Sequence, residues 1–312
     1  MPSPSLTNAR LIIGTRGSPL ALWQAHAVRD ALAAALSRAP DSITIAVIRT
    51  SGDQIQDRSL SLAGGKGLFT KEIEEGLLEN RVDLAVHSAK DVATHLPEGL
   101  HLAGYLPRAD VRDALILREG GGLDDLPHGA HVGTASLRRE AQLRRVRPDL
   151  RVSLLRGNVH SRLAKVRDGM FDATLLALAG LTRLGLAHEV SAVLDTTHFL
   201  PAVGQGAVAI ECREDDALTN AAIAAIACRA TGIALAAERA FLAALDGSCR
   251  TPIGGLATVE GDSVRLRGLV LTPDGTDAAG DEAHAPVADA ARLGADMGAQ
   301  LRDSAPARAL GL

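Results

Sequence analysis

The chain has 312 residues, 46% of them apolar and 2% aromatic, with a formal net charge of −4. That length suggests two or three domains at roughly 150 residues each, with a core of Leu, Val, Ile and Ala. The charge balance argues against a surface coated in positive charge for nucleic acid, and the absence of any run of about 18 apolar residues argues against a membrane span.

In chain order, residues 10–15 read as a strand. Ser18 and Pro19 then supply an N-cap and a favoured first helical residue, and Leu22, Ala25, Val28, Leu32 and Leu36 recur at helical spacing. Residues 42–49 alternate as a second strand, and a glycine-bearing loop around Gly64–Gly67 leads to a helix-like stretch near 68–80. A strand through Val82, Leu84 and Val86 completes a βαβαβ pattern, which predicts a parallel sheet with helices on its faces. The pattern recurs through strands at 113–118, 131–134, 151–156 and 172–178 and helices at 136–147 and 158–168, the second capped by Asn158 and ended by Gly169. Residues 199–213 read as a loop and a strand placed to return to the first unit. Beyond them come an Ala-rich helical region (218–245), two short alternating strands within 256–272, a last helix (287–303) and a tail expected to fray after Ser304.

Ten basic residues fall between 138 and 167, opposed by Glu140 and Asp149. Most read as a solvated face. Arg138 and Arg139 differ, because a Ser136 cap puts them in the first helical turn, where cations oppose the helix dipole at about 0.3–1 kcal/mol each. Their placement suits an anion docked at the helix start, with Thr134 and Ser136 as hydroxyl donors. Arg16 with Ser18, and Arg156 with Asn158, repeat the arrangement at other strand-to-helix turns, where open α/β sheets bind ligands. Several guanidinium groups suit carboxylates or phosphates.

His87-Ser88-Ala89-Lys90-Asp91 follows a strand, so Asp91 is either a catalytic carboxylate or a loop ion pair. Cys212 and Cys228 sit in apolar stretches as small hydrophobes, whereas Cys249 lies in the polar turn Gly247-Ser248-Cys249-Arg250, where Arg250 favours a thiolate. The three cysteines lack disulfide or zinc spacing, and no histidine pair has metal spacing, so no metal site is expected. Gly204-Gln205-Gly206-Ala207-Val208-Ala209 matches a loose dinucleotide pattern, but a strand rather than a helix follows it. Two readings stay open on these residues, an enzyme acting on an anionic ligand and a non-enzymatic two-lobed anion-binding protein. A nucleic-acid reading is weaker, since aromatic stacking residues are few.

The stretches at 14–26, 64–74, 84–92, 133–140, 155–165, 176–185, 200–213, 237–242 and 247–254 together resemble the porphobilinogen deaminase family, in family order. The resemblance implies two periplasmic-binding-protein-like α/β domains with mixed, mainly parallel sheets, plus a smaller α+β C-terminal domain. The expected boundaries are 1–107 with 200–224, then 108–199, then 225–312. It implies head-to-tail condensation of four porphobilinogen molecules into hydroxymethylbilane with release of ammonia, primed by a dipyrromethane cofactor in thioether linkage to Cys249. Asp91 is then the catalytic residue. Arg16, Ser18, Lys66, Lys90, Thr134, Ser136, Arg138, Arg139, Arg156, Asn158, Arg162, Arg183 and Gln205 are the expected cofactor- and substrate-binding residues. The expected protein is a cytoplasmic monomer, with no signal peptide at residues 1–10 and no nucleic-acid or membrane partner. Three departures stand out: Ser248 where glycine is usual, Ala93 where proline is common, and Leu62 where some members carry lysine.

Overall fold

The computed structural model describes residues 11–51, 70–248 and 251–312. Among them no single helix is long and apolar enough to cross a membrane. Contacts group the chain into two compact units, residues up to Arg108 with Ala207–Gly232, and Ala109–Gly206 with Ile233–Leu312.

In the first unit, β1 (Leu11–Thr15), β2 (Ile43–Val47), β3 (Leu84–Ser88), β4 (Leu100–Tyr105) and β10 (Val208–Arg213) form a sheet ordered β2-β1-β3-β10-β4. β1 pairs in parallel with β2 and β3, while β10 runs antiparallel between β3 and β4. Four strands therefore share one direction, and the returning strand read from residues 199–213 is the reversed one. α1 (Pro19–Ala35), capped by the Ser18 side chain, packs Ala25, Val28 and Leu32 against one sheet face, on Leu11, Ile13, Leu84, Val86 and Ile210. α2 (Lys71–Leu78) covers the other with Ile73 and Leu77, against Val82, Ala85 and Leu100. Burying each such side chain contributes about 1.5–3 kcal/mol. β4 lay outside the sequence reading: residues 100–105 hold His, Ala and Gly among their apolar residues, which blurs the alternation.

The second unit repeats the plan with β5 (Asp113–Leu117), β6 (His131–Gly133), β7 (Arg151–Ser153), β8 (Ala173–Ala177) and the two-residue β9 (Ala192–Val193), ordered β7-β6-β8-β5-β9. β6 pairs in parallel with β7 and β8, and β5 runs antiparallel to β8 and β9. α3 (Leu137–Val146) lies against one face, and α4 (Val159–Arg167) with α5 (Leu178–Arg183) against the other.

After α6 (Ala217–Ala224) and α7 (Arg229–Ala244), an antiparallel meander joins β11 (Ile253–Glu260), β12 (Ser263–Leu271) and β13 (Ala278–Pro286). The sequence showed the first two strands but not β13, whose Ala, Gly, Asp and Glu residues have little strand preference; nine consecutive pairings with β12 impose the conformation. α8 (Ala290–Arg302) carries buried Met297 and Leu301. The tail corrects the expectation of fraying: Ser304 caps a final helix, α9 (Ala305–Leu310), Pro306 sits in its first turn, and Ala307 is fully buried.

Gly204 and Gly206, in the turn before β10, have φ of 75° and 84°. A Cβ on Gly206 would stand 2.6 Å from the Ala109 carbonyl oxygen, so neither the backbone nor the space admits a side chain. Gly206→Ala should cost about 1–3 kcal/mol of unfolding free energy. Gly261→Ala, at φ 64° with open space around it, carries only the backbone cost of about 1–2 kcal/mol and should lose less than Gly206→Ala. Urea denaturation of both variants checks the order; equal losses would remove the steric explanation.

Candidate functional site

Two groups of predicted residues come together, one in each unit. In the first, Arg16, Ser18, Gln24, His87, Ser88 and Asp91 line one pocket. Local bonds explain the convergence. The Ser18 hydroxyl accepts from Ala21 N at 3.3 Å, which starts α1 directly after the Arg16 turn. Gln24, buried on α1, donates to Ser88 Oγ at 2.9 Å and ties that helix to the end of β3. Thr15 Oγ1 reaches the Val86 carbonyl at 3.4 Å. Asp91 closes a single 3₁₀ turn, Ala89–Asp91, whose Ala89 N–H donates to Ala207 O at 3.0 Å. Asp91 is exposed, and Lys90 beside it is half-buried. An exposed carboxylate at a strand end, near an arginine and a hydroxyl, can accept protons and stabilise positive charge developing close by.

The second group centres on a carboxylate that the sequence reading did not single out. Asp113, at the head of β5, is fully buried. Arg139 Nη2 and Nε approach its Oδ1 at 2.7 and 3.1 Å, and Arg138 Nη1 approaches Oδ2 at 2.8 Å. Arg139 also donates to Leu175 O at 2.9 Å, and Arg138 to Leu200 O at 2.7 Å with its guanidinium 5.9 Å from the Phe199 ring centre. Both arginines are about 5% exposed or less. Asp113 thus supplies an internal counter-charge to both arginines, beside which a docked anion would be a second one. Burial raises a carboxyl, but the two guanidinium charges outweigh it and hold Asp113 far below the usual carboxylate range. The same burial lowers the Arg138 guanidinium, which nonetheless keeps its proton. One anion faces two cations, and Arg138 Nε has no hydrogen-bond partner among the described residues.

Gln205 lies close to the same carboxylate. It is fully buried, and its amide donates to Val111 O at 2.8 Å and Asp113 Oδ1 at 2.9 Å, so it braces the Gly204–Gly206 turn rather than reaching outward. Arg183 donates to Gly206 O at 2.7 Å, and Gly204 N donates to buried Glu238 Oε2 at 2.7 Å. Glu238 also accepts from Ala257 N at 2.7 Å, joining that turn to β11. An apolar strand opening on Asp, and an Ala-rich helix carrying one Glu, were the available signals for Asp113 and Glu238.

Of the remaining residues, Thr134 is buried and accepts from Ser136 N at 3.1 Å, and Ser136 caps α3 by accepting from Arg139 N at 3.4 Å. Asn158 caps α4, accepting from Ser161 N at 2.9 Å. Arg162 Nε donates to Gly157 O at 2.8 Å, and Lys165 to Arg156 O at 3.1 Å, so Arg156, Asn158 and Arg162 share one turn with both guanidinium groups partly exposed. Arg147, read as solvated, instead pairs with Asp149 at 2.8 Å and straps the Leu123 and Leu126 carbonyls. Lys66, Leu62 and Cys249 lie outside the described residues. The residues flanking the cysteine are held together: Thr251 Oγ1 accepts from Ser248 N at 3.0 Å and donates to Ser248 O at 2.7 Å. Ser248 is not among the described residues with positive φ, so its replacement of glycine carries no left-handed penalty, and that conformation falls on Asp246 at φ 46°. Gly247 is the constrained glycine, since a Cβ there would meet Leu242 and Ile253 at 2.7 Å.

Residues 11–221 match the family model described as porphobilinogen deaminase, dipyromethane cofactor binding domain, and residues 233–303 match that of the porphobilinogen deaminase C-terminal domain. The chain is 58% identical to a porphobilinogen deaminase of Nitrobacter winogradskyi, over 98% of this chain and 96% of that one. It is 52% identical to that of Paracoccus denitrificans, over 95% and 94%. A periplasmic binding protein from Brucella ovis is a distant structural neighbour, at 16% identity and a TM-score of 0.40, covering 78% of this chain and 73% of its own.

Asp113→Asn should cost about 3–5 kcal/mol at neutral pH, because it leaves two guanidinium groups buried without their counter-charge. A depressed carboxyl contributes stability above its unfolded pKa and loses it as pH falls through the folded value. The difference between parent and variant should therefore hold from pH 7 to about 5 and shrink only below the ordinary carboxylate range near 4. Denaturant titrations across that range check this; a difference that vanishes already between pH 7 and 5 would contradict it.

Proposed function

The chain belongs to the porphobilinogen deaminase family, and from that premise we propose that it condenses four porphobilinogen molecules head to tail, releasing ammonia at each step, to give hydroxymethylbilane. The observation that carries the reading at residue level is the meeting of Arg16, Ser18 and exposed Asp91 at one pocket. Each pyrrole unit brings an acetate and a propionate, so the growing product is a polyanion that needs arginine partners.

The residues present fit a covalently held dipyrromethane by the chemistry of their donors. Arg16, Arg156 and Arg162 offer partly exposed guanidinium groups for carboxylates, and the buried pair beside Asp113 leaves a surplus positive charge with Arg138 Nε unpartnered among the described residues. Thr134, Ser136 and Asn158 support those arginines as turn and cap residues. Lys90 and Arg183 are assigned to the same task, and Lys66 and Cys249, outside the described residues, are assigned from the family motifs as a binding lysine and the attachment point. When bound, the group supplies a nucleophilic pyrrole carbon and an anchor for the growing chain.

The chain's own residues do the rest. Loss of ammonia from the aminomethyl group leaves an electron-poor carbon conjugated to the pyrrole nitrogen. Asp91 accepts the pyrrole N–H as that nitrogen gains positive charge, and it can take up the proton released when the new carbon–carbon bond restores the ring. Arg16 and Ser18 orient the substrate's carboxylates against it. The three-domain division belongs to the same reading, with residues 1–107 and 200–224, 108–199 and 225–312 as its parts, and so do a cytoplasmic location and a monomeric state.

Asp91→Asn keeps the shape of the side chain and removes its charge. Turnover of porphobilinogen should fall by about 10²–10⁴-fold while the circular dichroism spectrum and melting temperature stay at parent values, since Asp91 is exposed. Parent-like turnover in this variant would overturn the assignment.

A further inference from the structure

Behind the wall of the Asp91 pocket lies a group of ionisable side chains that the proposed reaction does not use. His87 is on β3 and Glu211 on β10, where Ala209 pairs with His87. His87 Nε2 stands 3.1 Å from Glu211 Oε2, and Glu74 of α2 interacts electrostatically with both. All three are buried, at 5%, 0% and 7% exposure for His87, Glu211 and Glu74. Glu74 Oε1, His87 Nε2 and both Glu211 carboxylate oxygens lack a hydrogen-bond partner among the described residues. The charges around them are otherwise committed. Glu72 of α2 accepts from Ser51 N at 2.8 Å. Arg213 of β10 donates to Leu77 O at 2.7 Å and Val82 O at 2.9 Å, and it pairs with Asp216 at 2.7 Å and Asp83 at 3.7 Å. β1 carries no ionisable side chain; β4 carries Tyr105, and His101, whose Nε2 lies 2.7 Å from Asn220 Oδ1.

Two buried carboxylates without full hydrogen bonding are costly to keep charged in such a site, because burial penalises each charge. Burial is the main influence pushing the Glu74 carboxyl above its ordinary range; Thr70 opposes it, and the Glu211 charge adds to it. His87 is also the member that lines the pocket, two residues before the turn that ends at Asp91.

We infer that Glu74, Glu211 and His87 form one buried proton-sharing unit, and that Glu74 and Glu211 are positioning residues that hold His87 and the Asp91 turn in their working arrangement. Loss of the Glu74 proton places a net negative charge behind the pocket, against an anionic substrate and beside Asp91. Turnover should therefore fall as pH rises and that proton leaves. The inference rests on Asp91 being the reacting carboxylate.

The test combines infrared spectroscopy with the pH dependence of kcat in the cofactor-loaded enzyme. The parent, at a pH below the fall in turnover, should show the carbonyl stretch of a protonated carboxylic acid, absent in Glu74→Gln and retained in Asp91→Asn. The falling limb of kcat should move up by at least one pH unit in Glu74→Gln, which has no such proton to lose, and down by about one in Glu211→Gln, which removes the charge that holds the Glu74 proton, with KM within about twofold. Opposite shifts distinguish proton sharing from simple loss of packing. A parent without the carboxylic-acid band, a band that survives in Glu74→Gln, or profiles of both variants that superimpose on the parent's would overturn the inference. The infrared measurement on the parent needs no variant to fold, and parent-like turnover in Asp91→Asn would remove the premise about Asp91 while leaving the band in place.

Discussion

A single buried carboxylate against two buried guanidinium groups organises the second unit. Asp113 fixes Arg138 and Arg139, and through them the Leu200 and Leu175 carbonyls, while Gln205 brings in the turn that leads to β10. Such a cluster is costly to desolvate and is tolerated only when nearly every polar atom is satisfied. Among the described residues one positive charge, the Arg138 Nε and the Asp113 Oδ2 are left over. A helix start of this kind is both a structural joint and a place where an additional carboxylate gains a charge-assisted partner.

The first unit solves a different problem. Its pocket brings an exposed carboxylate and an arginine to one lining. The solution is geometric. Arg16 leaves the end of β1, Asp91 leaves the end of β3, and the bonds from Gln24 and Thr15 hold those two strand ends to α1. The antiparallel β10, seated between β3 and β4, puts Glu211 beneath this arrangement and lets Ala207 receive the Ala89 N–H. Parallel strand ends supply the site, and one reversed strand supports it from below.

Much of this was legible in the sequence. The caps Ser18, Ser136 and Asn158 marked helix starts correctly, and Arg138 and Arg139 in a first turn announced that an anion belonged there. What the sequence could not say was that Asp113, distant in the chain, is that anion. Long-range ion pairs leave no periodic trace, and an Asp at the head of an apolar strand reads equally well as a loop residue. The bonds of Gln205 to Val111 O and Asp113 are equally long-range and leave no trace in the glycine turn that carries it. β13 was invisible because pairing, not propensity, makes it a strand, and the final helix was missed because its cap, Ser304, was read as an ending.

The central claim is that this chain builds an oligopyrrole on its own cysteine. The most direct measurement is the intact mass of the purified protein after incubation with porphobilinogen, followed by peptide mapping. The expected result is an adduct of two pyrrole units on the peptide that contains Cys249, absent in Cys249→Ser. An unmodified chain, or the same adduct carried on another residue, would contradict it.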